Sequence, residues 1–419
     1  MSELVAELAE IIKKCSRCGY CMAECPAYGA TKIEWDVARG RNWLASELVN
    51  GTINLDDDLD EPIDTCLRCG RCSENCPSKV DTPKAVQLIR TIRYRAGRMK
   101  LPYRMLFEQI MPYPKRMAMG SHFMSIVQSV TPDGWLNNGI VARCCPPVQS
   151  MPKLPKKRAR NIVSVNNKAV GAKRGKVLYF MGCSTDLVFP EVAEATVNLL
   201  TSQGIDVIIP DVSCCGLPAY SYGHIDGALR LAARNLESLN FNEVDAVVSD
   251  CPTCVSFLNE YKDLPLDASL KEKASALFNK VQNLPDYLLS VGLLAPKQAV
   301  NKVVTYHQPC HFARSLGAAN SVEKILKNLP GVEFRKAENQ NTCCGGAGSY
   351  CFSQVGRSQK ILINKMEGIV KTNSDTLVTN CPGCMMQLQT GLRQLEASHS
   401  QPIHLTNFAN LLSSIYNES

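Results

Sequence analysis

No apolar run in this chain of 419 residues approaches the ~20 residues that a membrane-spanning helix needs; the best, around Leu288 to Ala295, is far too short. The N-terminus also lacks a secretory signal: Met1-Ser-Glu-Leu-Val-Ala-Glu is acidic, with no basic stretch and no cleavage site. Nor does any Gly-x-Gly-x-x-Gly open a helix after a strand, and no other nucleotide fingerprint is present. The chain is therefore expected to be cytoplasmic and to hold no flavin itself. Length predicts two or three domains, and the composition, 45% hydrophobic and 20% charged, is that of a soluble globular protein.

What is abundant is cysteine, at 21 residues. Without a secretory signal, so many thiols point to metal rather than to a disulfide framework. The formal charge of +7 counts each of them as neutral. A cubane cluster on four thiolates contributes about −2, so the loaded protein falls near neutrality. That argues against nucleic acid as a partner. The excess Lys and Arg would instead balance cluster charge, or meet an acidic partner or a lipid surface.

Two runs have identical spacing. Cys15, Cys18, Cys21 and Cys25-Pro26 recur as Cys66, Cys69, Cys72 and Cys76-Pro77. In this ferredoxin spacing three close cysteines hold one [4Fe–4S] cubane and the fourth reaches the other cluster. One cluster is then expected on Cys15, Cys18, Cys21 and Cys76, the other on Cys66, Cys69, Cys72 and Cys25. Zinc fits poorly, because it is usually held by two separated Cys-x-x-Cys pairs. A helix is expected over 2–14, another over 35–50 carrying Arg39-Gly-Arg41, and a third over 83–98. The two arginines are either charges that tune a nearby cluster or an ordinary solvated face. Asp56, Asp57 and Asp58 read as a polar loop.

Residues 99–130 carry six methionines and a single acid, Glu108. They read as a packed helical connector or as an amphipathic segment touching a membrane or partner. From Lys153 to Lys176 there are nine Lys or Arg and no acid, which reads as an exposed linker and a domain boundary. Cys144 and Cys145 have no partner set and read as structural or unassigned.

Beyond Gly175, strands and helices alternate, which predicts parallel sheets. The strands are expected at 177–181, 205–210 and 246–249, and again at 303–306, 332–335 and 376–379. Cys183, Cys214-Cys215-Gly216 and Cys251-Pro-Thr-Cys254 return as Cys310, Cys343-Cys344-Gly345 and Cys381-Pro-Gly-Cys384, always 127 to 130 positions later. Such a constant offset marks duplication of a whole domain. Cys183, Cys251, Cys310 and Cys381 each follow a predicted strand, where open α/β sheets bind ligands. Zinc on part of each set, or a resolving-thiol redox site, remains an alternative. His307 and His311 flank Cys310 and are placed to give protons to a two-electron, two-proton acceptor such as a quinone; lone histidines are otherwise structural. Cys351 is expected to pack nearby without binding iron.

The five-cysteine set resembles the Cys-Cys-Gly domain of the heterodisulfide reductase catalytic subunit. That resemblance implies a noncubane [4Fe–4S] cluster on Cys183, Cys214, Cys215, Cys251 and Cys254, and another on Cys310, Cys343, Cys344, Cys381 and Cys384. The order of domains, Arg39-Gly-Arg41, the stretch from Cys343 to Tyr350 and Asn364-Lys365-Met366 are similar to the glycolate oxidase iron-sulfur subunit family. The corresponding component of anaerobic glycerol-3-phosphate dehydrogenase is similar, less closely. Several glycolate-type members have a degraded first set, whereas both sets here are complete. The expected architecture is α+β and α/β: a mostly helical two-cluster ferredoxin domain (1–98), a helical connection and basic linker (99–176), and two duplicated α/β Cys-Cys-Gly domains (177–300 and 301–419). The implied function is an electron-transfer subunit that takes electrons from an FAD-binding dehydrogenase subunit oxidising a glycolate- or lactate-type 2-hydroxy acid. It would pass them to a quinone or another carrier, in the cytoplasm or peripherally on the inner face of the membrane. The rivals are a reductase that cleaves a disulfide at a noncubane cluster, the glycerol-3-phosphate dehydrogenase component, and a metal-binding scaffold without turnover.

Overall fold

The computed structural model describes residues 2–55, 59–130, 152–317, 320–348, 350–395 and 402–416. The acidic run 56–58 and the pair Cys144 and Cys145 lie outside the described residues.

Short apolar runs between helices become strands. Asn166–Asn167 (β1), Gly175–Tyr179 (β2), Ile205–Ile208 (β3), Ala246–Ser249 (β4) and Val281–Asn283 (β5) form a sheet in the order β1-β3-β2-β4-β5. Only β1 is antiparallel. Lys302–Tyr306 (β6), Val332–Phe334 (β7), Thr376–Thr379 (β8) and His404–Asn407 (β9) form an all-parallel sheet in the order β7-β6-β8-β9. The last four strands of the first sheet and the four of the second therefore run in one order, as duplication requires. Every residue of β4 and β8 is buried, which suits central strands covered on both faces.

The six strands nearest the cysteines stand where the apolar pattern predicts them, whereas β1, β5 and β9 have no counterpart in that pattern. Each of these three is four residues or fewer and carries Asn, Gln or His, so it lacks an apolar signature. The basic stretch 153–176 also differs from its expected role as a free linker. It supplies β1, buries Ala159 in the core, and places Arg160 on the Pro210 and Val212 carbonyls. Its charge is used in part against Asp206, which faces Lys168 and Lys173. The 99–130 connection divides its methionines and aromatics. Phe107 and Met111 are buried against the first sheet's helices, while Met105, Met119 and Phe123 are exposed.

The two sheets share one core. The helix Pro190–Ser202 of the first unit packs against the helix Phe408–Tyr416 of the second, burying Leu199, Leu200, Phe408, Leu412 and Ile415 together. At about 1.5–3 kcal/mol for each large apolar side chain removed from water, this seam is a main source of rigidity between the copies.

The N-terminal third rests on both copies. Its helix Thr82–Arg95 lies on the first unit, where Arg90 donates to the Ser221 carbonyl (2.7 Å) and Tyr94 to Asp226 (2.9 Å). Toward the second unit, Arg357 reaches Asp36 (3.1 Å) and Glu61 (2.6 Å), and Arg314 reaches Glu74 (2.7 Å). Gly223 permits the first of these contacts: its φ is +84°, and a Cβ there would stand 2.3 Å from the Arg90 carbonyl carbon. Gly223→Ala is expected to lower stability by about 2–4 kcal/mol through strain and separation of the helices. Thermal unfolding under anaerobic conditions, compared with the exposed control Gly51→Ala, measures it.

Candidate metal centres

The two ferredoxin-type runs wind alike. Arg17 and Arg68 have φ of 57° and 53°, and Gly19 and Gly70 follow at 84° and 76°. These left-handed turns aim backbone N–H groups at sulfur, as in Arg68 N–H to Cys66 Sγ (3.4 Å). Cys25 leaves its own run and joins the other: Cys25, Cys66, Cys69 and Cys72 line one small cavity. Burial pushes the Cys72 thiol up to about 12, with Cys66 and Cys25 adding to it. Cys18 lies on the surface instead, and the Tyr20 N–H and the Ser16 hydroxyl hold its thiol below the usual range.

The pair Arg39-Gly-Arg41 splits. Arg39 is exposed and pairs with Glu34 (2.7 Å). Arg41 is buried and donates to the Pro62 and Asp36 carbonyls and to Thr65. Burial alone would disfavour its charge, but Cys66, Cys25 and Asp36 outweigh that and hold it ionised. Gly40 is required between them, because a Cβ would stand 2.2 Å from the Glu34 carbonyl oxygen.

In each α/β unit the chain leaves the central strand to opposite sides, which opens a crevice beyond the strand ends. Cys183 follows β2 and Cys251 follows β4 across the first crevice; Cys310 follows β6 and Cys381 follows β8 across the second. The Cys-Cys-Gly steps turn into these crevices at Gly216 (φ 98°) and Gly345 (φ 87°).

Cysteine spacing predicts two separate centres. The two crevices face each other and open into one cavity of about 200 Å³, lined by all ten of these cysteines. Their thiols form a continuous series. Cys183 meets Cys214 at 3.6 Å, and contacts continue through Cys215, Cys254 and Cys251. Cys251 then touches Cys381 of the other set, and the series runs on through Cys384, Cys344 and Cys343 to Cys310. Within it some thiols accept hydrogen bonds from both neighbours and so favour the thiolate. Cys214 and Cys254 pull Cys215 down to about 5, and Cys310 and Cys344 draw Cys343 down likewise.

The ferredoxin-type residues reach this cavity from one side. Burial raises the Cys69 thiol, and its next strongest influence is Cys343 of the second set. Leu67, Cys69, Cys343 and Tyr350 pack together, and Arg71 donates to Asn341 (3.0 Å) just before the Cys-Cys step. Cys343 is thus where the duplicated sets meet the second ferredoxin-type run.

Both expected histidines line the cavity. His307 is buried, neither ring nitrogen has a partner among the described residues, and it lies within 4.8 Å of the Cys344 and Cys384 sulfurs. Burial holds it well below the usual histidine range. His311 bridges the two sets: its Nδ1 is 3.2 Å from Thr253 Oγ1, which is itself 3.7 Å from Cys381 Sγ. Cys351 also lines the cavity, its thiol donating to the Gly348 carbonyl and pushed up to about 12 by burial.

Two buried groups carry no local signal in the sequence. Lys365, within Asn364-Lys365-Met366, donates to the Asn339 (2.6 Å) and Gln340 (2.8 Å) carbonyls. Burial pulls its ammonium down to about 7, against the attraction of Cys344, Cys384 and Cys343. Asp250, just before Cys251, accepts from Tyr179 (2.7 Å) and Thr185 (2.6 Å). Lys365 lies in a stretch that carries the family resemblance, but nothing local marks either residue as a neighbour of the thiols.

These residues fit multinuclear iron–sulfur centres. Ten thiols converge on one cavity, the His307 ring is orphaned, and glycine is needed where sulfur approaches: a Cβ on Gly182 would stand 3.0 Å from Cys254 Sγ.

Known proteins divide the chain in the same way. Residues 11–80 match the family described as 4Fe-4S dicluster domain, and residues 177–259 and 304–389 each match the one described as Cysteine-rich domain. A probable glycolate oxidase iron-sulfur subunit of Bacillus subtilis is 28% identical over 408 residues, covering 94% of this chain and 92% of that protein. Lactate utilization protein A of Halalkalibacterium halodurans is 30% identical over 240 residues, 57% of this chain and 96% of that protein. The crystal structure of a hypothetical protein from Helicobacter pylori superimposes with a TM-score of 0.52 at 10% identity, over 100% of this chain and 73% of that one, a likeness of fold. The chain belongs to the iron–sulfur oxidoreductase family of the glycolate oxidase iron-sulfur subunits and lactate utilization A proteins; in this chain a 4Fe-4S dicluster domain precedes two Cysteine-rich domains.

Proposed function

We propose that this chain is the iron–sulfur electron-transfer subunit of a flavin-dependent dehydrogenase complex acting on a glycolate- or lactate-type 2-hydroxy acid. Residues 1–98 would hold two cubane clusters, on Cys15, Cys18, Cys21 and Cys76 and on Cys66, Cys69, Cys72 and Cys25. Residues 177–300 and 301–419 would each hold a noncubane cluster on the five cysteines of the set. When bound, such clusters supply one-electron transfer at fixed positions. The observation that carries this reading is the packing of Cys69 with Cys343, which puts the ferredoxin-type ligands against the duplicated site.

The side chains around the thiols have definable tasks. Arg41 compensates charge at Cys25 and Cys66 from a site closed to water. Thr253 and His311 form a short polar link from Cys381 toward Cys310, suited to holding a proton beside an acceptor. The flavoprotein is an expected partner because the relatives' names concern glycolate and lactate while this chain carries no nucleotide fingerprint. No described helix is long and apolar enough to cross a membrane. A peripheral contact is supported by the exposed Met119, Phe123, Ile126 and Val130 of the helix Pro114–Val130, next to Lys115 and Arg116 and with no acid in that helix.

The shared cavity favours a second reading, a reductase whose disulfide substrate enters between the two sets. The complex purified with its flavoprotein decides: reduction of a soluble quinone analogue coupled to glycolate or lactate oxidation is expected, and reduction of a disulfide without the quinone analogue would select the alternative.

Two variants test the ligand assignment. Cys344→Ser is expected to remove the iron of one cluster, about four atoms per chain, and leave the two cubane signals in electron paramagnetic resonance. Loss of all iron would overturn the division into independent sets. Arg41→Gln should lower the midpoint potential of the cubane on Cys25, Cys66, Cys69 and Cys72 and cost about 3–5 kcal/mol by leaving buried Asp36 less compensated. Redox titration and thermal unfolding read the two effects, with Arg41→Lys expected between wild type and Gln.

A further inference from the structure

The duplication is faithful in backbone and unfaithful in charge. The helix Ile225–Ser238 of the first unit and the helix Val355–Val370 of the second begin 130 positions apart, and Asn235 and Lys365 hold the same place on them. Both side chains are buried and both hold the Cys-Cys-Gly loop of their own set. Asn235 donates to the Cys214 carbonyl (3.0 Å) and accepts from the Ser213 N–H (2.8 Å), whereas Lys365 donates to the Asn339 and Gln340 carbonyls. One support is a neutral amide and the other is an amine that carries a positive charge when protonated.

A second pair differs in the same direction. Tyr179 and Tyr306 end β2 and β6, and each donates to the residue just before a cysteine of its set. In the first unit that residue is Asp250, with each carboxylate oxygen taking one hydroxyl, from Tyr179 and from Thr185. Burial raises this carboxyl above the usual carboxylate range, and the two hydroxyls that donate to it work against that rise in favour of the ionised form. In the second unit it is Asn380, which accepts from Tyr306 (2.8 Å), and its Nδ2 has no partner among the described residues. The position of Thr185 is taken by Phe312, which is buried and apolar.

We propose that Lys365 and Asp250 make the two duplicated centres electrostatically inequivalent, so that the second set, beside Cys343, has the higher reduction potential. This rests on the assignment of a cluster to each set. A reduced cluster is more negative than an oxidised one. A buried cation without a carboxylate partner favours reduction, and a buried anion opposes it; low local polarizability makes both effects larger than at a surface. The electron would accordingly rest first at the centre nearer the ferredoxin-type run, and Cys251 and Cys381, in contact across the cavity, join it to the more reluctant one. Lys365 and Asp250 are positioning residues here; neither is a ligand.

Redox titration of the whole chain, followed by electron paramagnetic resonance with iron analysis, tests this. Lys365→Gln keeps an N–H donor for the loop and removes the charge. It should shift the one-electron equilibrium of the second centre at least tenfold toward oxidation, about 59 mV, with full iron, while Lys365→Arg stays near wild type. Asp250→Asn, which installs what the second unit already has, should raise the first centre by a comparable factor. Full iron with unmoved midpoints in Lys365→Gln and Asp250→Asn would overturn the proposal and leave both residues as scaffolding. If Lys365→Gln loses the second set's iron, Asp250→Asn alone decides on the same criterion. Absence of any signal or iron beyond the two cubanes in the wild-type chain would instead overturn the cluster assignment itself.

Discussion

The physical constraint behind this structure is the concentration of thiolates in a place closed to water. Ten cysteines share one cavity, and each thiolate there repels the next and would rather be protonated or solvated. Everything around the cavity can be read as an answer to that problem. Glycines admit sulfur where a Cβ would collide, hydroxyls and backbone N–H groups donate inward, and the buried Lys365 amine lies close to the second set, as the Arg41 guanidinium does to Cys25 and Cys66 in the neighbouring ferredoxin-type cavity. Multinuclear iron, which shares its positive charge among many sulfurs, is the remaining and largest compensation.

Two rigid seams keep the arrangement. The helices Pro190–Ser202 and Phe408–Tyr416 lock the copies together, so the crevices face each other at a fixed separation. The N-terminal third then bridges both copies through Arg90, Arg314 and Arg357, and brings Cys69 against Cys343. The basic stretch 153–176 belongs to this rigidity as well, since Arg160 is committed to two carbonyls and β1 completes the first sheet. The positive charge that the composition displays is therefore in good part structural.

Much of the fold was legible because its signals are local. Alternating apolar runs and helices announce parallel sheets, and the helix Pro190–Ser202 is bounded by proline at its start and an amphipathic pattern along its length. Strands such as Val281–Asn283 and His404–Asn407 were not legible, because hydrogen bonds to a neighbour, not side-chain character, make them strands. The two arginines of Arg39-Gly-Arg41 show the same limit. Their spacing places them on different faces of one helix, and only the packing of Pro62 and Thr65 against that helix buries the second.

The sequence by itself determined which residues could carry metal chemistry and that the set occurs twice, because cysteine spacing and the offset of a duplicated domain are one-dimensional properties. Only the tertiary structure decided that the two sets meet in one cavity and that Cys343 is the point of contact with Cys69. Those are distances between residues far apart in the chain, fixed by how helices pack on sheets. Lys365 and Asp250 lie between the two cases: their identities are in the sequence, and their meaning appears once each is found buried beside the thiols of its own set.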